Sequence, residues 1–311
     1  MTEQYLRAAS LILGSASGDQ LDLSALRITF GIQHAVVQTP RAAAIRVYNP
    51  AASTVARISA EFTTVTLSAG YQGNIATIFT GTIKQRRAGR ESPTDTFLDL
   101  FAADGDEAYN QAVVNQSLAA GWTDTDVLNA IVTAMQPFGI TMGHVPTLNA
   151  GKAPRGMALY GGAKAALRDL AARNGCSWNL DGGHLNLIPL GGTIPGPQAI
   201  VLNSSTGMIG IPVQTIDGIE VTTLLNPQIK PGSTVKVNQS DILAAQNPLE
   251  YANITGSLLP TIPTDGLYAV QWVDLEGDTR GQPWYSHLVC LAIDPSAQGP
   301  RSPAQLENVD A

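Results

Sequence analysis

The first hundred residues alternate between apolar and polar positions. In "LRITFGIQ" (26–33), Leu26, Ile28, Phe30 and Ile32 fall on one face and Arg27, Thr29 and Gln33 on the other. That is the two-residue period of a half-buried strand. "AIRVYNP" (44–50) predicts a second strand ended by Asn49-Pro50, and "ASTVARIS" (52–59) predicts a helical turn or two. "TTVTLSAGYQ" (63–72) and "NIATIFTGTIKQ" (74–85) predict two more strands joined by a glycine-containing hairpin loop. The polar loop "RRAGRESPTD" follows, and then a strand in "TFLDLFAAD" (96–104). Five or more strands with tight connections predict an antiparallel barrel or sandwich.

The period changes after Asp104. In "TDTDVLNAIVTAMQPFG", Thr123 is an N-cap with Asp126 three residues on, and Val127, Ile131 and Met135 follow at helical spacing until Pro137 stops the run. A second helix is predicted in "GAKAALRDLAARNG" (162–175), with Ala163, Leu167, Leu170 and Ala171 as its stripe and Gly175 as its stop. "CSWNL", "DGG" and "HLNLIPL" predict a hairpin. Alternation returns over 207–239 and in "GLYAVQWVDLEGDTRGQPWYSHLVCLAID", where a charged, glycine-bracketed loop joins two strands. The chain therefore reads as mainly β with an α+β insert: a β domain over 1–104, a module over 105–193, a second β domain over 194–293, and a flexible tail over 294–311.

Composition adds two constraints. Only 14% of residues are charged, while Gly (30) and Pro (19) are plentiful. This suits β-rich structure with large surfaces buried against other subunits. The net charge of −7 supplies no basic field to replace the counterions of a phosphate backbone, which argues against adhesive binding to nucleic acid. Cys176 and Cys290 form neither a disulfide framework nor a metal quartet and read as small buried apolar residues. Neither a signal-peptide core nor a stretch of roughly 20 apolar residues is evident, so folding in a cytoplasm without a membrane span is expected.

The stretch "GDTRGQPWYSHLVC" (277–290) gathers Asp278, His287 and Cys290, the ingredients of a catalytic site. Strand alternation separates them: Tyr285, His287, Val289 and Leu291 share one face, and Trp284, Ser286, Leu288 and Cys290 the other. Asp278 beside Gly277 reads as a turn residue bonding its own backbone. "GSASG" (14–18) has Ala16 where a nucleophile elbow needs serine, and "GGAKAA" lacks the phosphate-loop spacing. "DGGH" (181–184) reads as a hairpin turn rather than a metal site, His34 and His144 are isolated, and the four tryptophans read as core residues. No catalytic residue, metal ligand or cofactor is assigned, and the expectation is a protein that is not an enzyme.

Five phrases in order carry a resemblance: "TPRAAAIRVYNPAASTVARIS", "VTLSAGYQGNIATIFTGTIKQ", "LRDLAARNGCSWNLDGGHLNLIP", "GIPVQTIDGIEVTTLLNPQIKPGSTVKV" and "GDTRGQPWYSHLVC". Together, over roughly 25–293, the chain resembles the baseplate or tail-tip hub proteins of tailed bacteriophages. The resemblance implies two β-barrel domains related to the tail-tube fold and a homotrimer forming a pseudo-sixfold ring. That ring would join a sixfold tail tube, or a distal tail protein, to a threefold spike or central fibre. Its channel would pass DNA or a tape-measure protein, and an acidic lumen would let DNA slide. It also implies a place in the virion tail after assembly in the host cytoplasm. Asp278, Trp284 and Tyr285 are then structural or interface candidates. Two alternatives stay open: the hub of a tailocin or contractile secretion system, and a hub-type tail protein with cell-wall hydrolase activity.

Overall fold

The structure is a computed structural model and describes residues 6–36, 38–196, 198–215, 218–238, 242 and 266–293; the predicted tail over 294–311 lies outside the described residues. The first β region supplies β1 (Arg7–Ser15), β2 (Gln20–Asp22), β3 (Ile28–Ala35) and β4 (Ala42–Tyr48). Helix α1 (Ala52–Glu61) follows, then β5 (Phe62–Tyr71), β6 (Asn74–Arg90) and β7 (Thr96–Ala103). The module holds α2 (Asp106–Gln111), β8 (Val113–Leu118), α3 (Asp124–Met135), β9 (Thr141–Met142) and β10 (Met157–Gly162). It continues with α4 (Ala163–Arg173), β11 (Cys176–Asp181) and β12 (His184–Pro189). The last region supplies β13 (Ile200–Leu202), β14 (Met208–Thr215), β15 (Gly218–Leu224), β16 (Thr234–Val237), β17 (Leu267–Asp278) and β18 (Trp284–Ala292).

The architecture is mainly β, as expected, and is dominated by one large sheet that is antiparallel apart from the β13–β16 pair. Its order is β14-β15-β18-β17-β3-β4-β7-β6-β5-β1-β2, with β16 on β17 and β13 on β16. The two β regions meet where β3 pairs with β17, in register from Ala35↔Trp272 to Thr29↔Asp278. Their inner faces form a single apolar cluster, with Ile28, Phe30, Ile32, Ile45, Val47, Leu98 and Leu100 beside Val273, Leu275, Leu288 and Cys290. Among the described residues no closed barrel forms; β14 and β2 end the strand order. The physical reason is the pairing itself: β17 satisfies the open edge of β3, so the two regions extend one another.

The predicted elements are present with shifted ends. Strand β6 runs on to Arg90 through the stretch expected as a loop, because Arg86–Arg90 pair with Leu100–Thr96 of β7. Helix α3 starts at the predicted cap: the Thr123 backbone N–H donates to the Asp126 carboxylate at 2.8 Å. Its Val127, Ile131 and Met135 pack with Leu167 and Leu170 of α4 and with Trp178 and Leu180 of the hairpin, in a second apolar cluster. Burying a stripe of such residues, at about 1.5–3 kcal/mol each, is what makes helices of this length stable. The hairpin β11–β12 turns through Gly182-Gly183 as expected.

Candidate functional site

The stretch 277–290 is where the two β regions are tied together. Gly277 lies between Phe30 of β3 and Trp284 of β18 in the sheet register. Its missing side chain lets those two rings meet edge to face, with centroids 5.5 Å apart at 72°. A Cβ on Gly277 would lie 2.4 Å from the Phe30 ring and 2.9 Å from that of Trp284. Trp284 is fully buried, and the Arg7 guanidinium lies over its ring at 5.5 Å. Tyr285 is half-buried on the opposite face, 6.3 Å from the His287 ring.

Asp278 does more than bond its own turn. It accepts the Arg280 N–H at 2.8 Å, as the turn reading expects. It also receives both forks of Arg27, Nε at 3.2 Å and Nη2 at 2.7 Å. The Arg27 bonds hold its carboxyl below the usual carboxylate range. Gly281 is needed here too, since a Cβ on it would come within 2.2 Å of the Asp278 carboxylate. Thr279 completes the tie by exchanging hydrogen bonds with the Ile28 backbone at 2.9 Å. The loop is therefore a clamp on the first residues of β3.

The clamp continues as a row of charge across the outer face of the sheet. Asp278, Thr29, Arg46, Asp99 and Arg87 are successive cross-strand neighbours on β17, β3, β4, β7 and β6. Asp99 accepts Arg46 Nε at 2.6 Å and Arg87 Nη2 at 2.6 Å. Burial would raise its carboxyl, but the two guanidiniums outweigh that and hold it low. Arg46 and Arg27 also lie over the rings of Phe97 and Tyr48, at 4.3 and 4.4 Å. By contrast, the outer face of β1 and β5 and the facing part of β6 carries Ser10, Thr64, Thr66, Ser68, Thr77 and Thr80 and no charge.

A second cluster was not legible in the sequence. Arg41, buried just before β4, pairs with Asp104 at 2.9 Å and with Asp181 at 2.8 Å, and donates to the Ile78 carbonyl at 3.2 Å. Lys230 meets the other Asp181 oxygen at 2.9 Å, and the Gly182 N–H donates to Asp104 at 2.7 Å. Burial raises the Asp104 carboxyl. Asp181 is largely buried too, which would raise its carboxyl, but Arg41 and Lys230 keep it low. His34 lies buried beside this node; desolvation, reinforced by Arg41, pushes its imidazole down to about 3. The partners span residues 34 to 230, so only long-range pairing could have revealed them.

The catalytic ingredients stay apart. Cys290 is fully buried on the inner face, where desolvation raises its thiol. His287 is exposed on the outer face, 3.2 Å from Glu276 and 3.2 Å from Thr222 Oγ1. Asp274, its cross-strand neighbour, has its carboxyl raised by burial and accepts the Trp272 indole N–H at 2.6 Å. The Asp181 and His184 pair of "DGGH" diverges: Asp181 faces Arg41 and Lys230, while His184 meets Thr141 Oγ1 at 2.9 Å. Among the described residues, three or more His, Cys, Asp or Glu side chains nowhere gather so as to hold a metal ion, and no helix is long and apolar enough to cross a membrane. Of the tryptophans, Trp178 and Trp284 are fully buried, whereas Trp122 and Trp272 are half-buried.

No protein-family model matches the chain. No curated protein matches it by sequence. The 43 kDa tail protein of prophage MuSo2 from Shewanella oneidensis superposes with a TM-score of 0.58 at 11% identity, over 95% of this chain and 100% of that one. A tail protein from Neisseria meningitidis MC58 gives 0.56 at 14% identity, over 92% and 96% of the two chains. The E. coli c3393 protein, a component of the type VI secretion system with structural similarity to the T4 bacteriophage tail proteins gp27 and gp5, gives 0.51 at 11% identity, over 86% and 74%. The chain thus has the fold of phage tail proteins, the group its ordered phrases resemble.

Proposed function

We propose that this protein is a structural hub of a phage tail tip or baseplate, with three copies forming a pseudo-sixfold ring around a central channel. In this reading each half of the large sheet takes the part of one tube-like unit. The ring joins a sixfold tail tube or distal tail protein to a threefold spike or fibre. The observation that carries it is the fold shared with two tail proteins along nearly their whole length.

Two features support the assembly. The sheet ends in the free edges of β14 and β2 among the described residues, and cyclic symmetry is the usual way in which repeated copies satisfy such ends. The hydroxyl face of β1, β5 and β6 is uncharged rather than acidic as expected of the lumen, yet a face that does not attract a polyanion still suits a wall past which DNA or a tape-measure protein moves. Such a protein acts without turnover. Averaged images of the assembled tail tip test the reading: three copies in one ring are expected, and six copies in one ring would defeat it. The hub of a tailocin or secretion system is the second reading, favoured by the likeness to the type VI component; imaging the particle for a filled head separates the two.

A further inference from the structure

The apolar cluster of the sheet and that of the α+β module share no residue. The seam between them carries a run of polar and charged contacts. At its centre Arg41 and Asp104, both at the sheet end, meet Asp181 at the tip of the module hairpin, and Lys230 closes on Asp181 from the sheet side. Ser177 of the module donates to the Val36 carbonyl at 2.8 Å, and Arg168 reaches Gln38 at 2.9 Å. Apolar groups also meet there: Ile188 and Ile194 are set against Gly232, and Leu180 and Ile140 against Gly105.

Such a seam has a particular energetic character. Buried ion pairs add little net stability, because separating the two sides returns every charge to water together. Removing one partner alone is costly, since it leaves the other buried and unpaired. Apolar cores behave differently, as opening them exposes surface with no compensation. A chain with two dry cores and a charged seam therefore opens first along the seam. His34 marks the same plane: it is buried on the sheet side, and its Nε2 has no hydrogen-bond partner.

We propose that the α+β module is a separable body latched to the sheet by the Arg41 node, and that the chain reaches a second arrangement in which the module is undocked while both cores stay folded. Hydrogen–deuterium exchange on the full chain, comparing the wild type with Arg41→Met and Asp181→Asn, tests this. The expected result is at least about tenfold faster exchange at the seam, read at the Gly182 N–H bonded to Asp104 and the Ile194 N–H bonded to the Gly232 carbonyl. Helices α3 and α4 and strands β3 and β4 should keep their protection. Asp181→Asn preserves shape and carries the test if Arg41→Met fails to fold. Protection lost from both cores together would mean one cooperative unit and overturn the proposal, as would an unchanged seam in a folded variant.

Discussion

Arg27 and Asp278, separated by 251 positions, meet through two hydrogen bonds at the point where β3 joins β17. The pair fastens the start of one β region to the end of the other. Read from sequence, Asp278 beside Gly277 is a turn residue that bonds its own backbone. With Arg27 half-exposed and the Asp278 side chain at 8% exposure, the pair has more weight. Asp278→Asn is expected to lower stability by about 1–2 kcal/mol, read as an unchanged urea m-value with a lower midpoint. Because the folded carboxyl is depressed, this contribution is present above the ordinary Asp value and is lost as pH falls through the folded one. An unchanged midpoint at neutral pH would return Asp278 to the role of a simple turn residue.

The Phe30–Gly277–Trp284 row predicts two further losses. Trp284→Ala should cost about 3–5 kcal/mol, the range for removing a fully buried aromatic side chain. Gly277→Ala should cost about 1–3 kcal/mol through crowding. The crowding is specific, so Phe30→Leu in the same chain should recover part of the Gly277→Ala loss. Strictly additive losses in that double variant would show that the two positions do not press on one another.

His34 predicts acid sensitivity. Its imidazole is depressed from 6.5 to about 3 by burial beside Arg41. Between those values the unfolded chain binds a proton that the folded chain refuses, so stability falls as pH drops from 6.5 towards 3. His34→Gln takes up no proton and should show a shallower decline. Denaturation midpoints collected at about pH 7 and about pH 4.5 give the two slopes; equal slopes would mean that His34 is solvated.

Turnover is the remaining expectation. Purified protein should leave peptidoglycan, peptide and nucleic-acid substrates intact, and His287→Ala should change stability by no more than about 0.5 kcal/mol, as for an ordinary surface substitution. Activity that vanishes in His287→Ala with the fold retained would establish an enzyme.

What could be read from sequence was what is local. Ile28, Phe30 and Ile32 announce a strand face by period alone, and Thr123 with Asp126 announces a helix start; both stand as expected. The continuation of β6 past Arg86 was hidden because its polar residues look like a loop until Asp99 of the neighbouring strand supplies their partner. Strands β8 and β10 are short and weakly periodic, and their pairing with one another is not written in either. The Arg41 node was invisible for the same reason. Each of its members is unremarkable alone, and only the folded chain brings Asp104, Asp181 and Lys230 to one guanidinium and its neighbour.

The pairing of β3 with β17 also orders events during synthesis. A ribosome that has released residues 28–35 must add more than two hundred others before the strand that completes β3 emerges. Until then the nascent first region presents an open strand edge to every neighbouring nascent chain, a state prone to wrong pairing. Contacts so distant along the chain also slow the final closure, because the loop must be ordered before the pairing compensates for it. Chains stalled or cut before residue 267 should therefore accumulate as soluble aggregates or require a chaperone, while the module, whose own core lies within residues 108–187, folds on schedule.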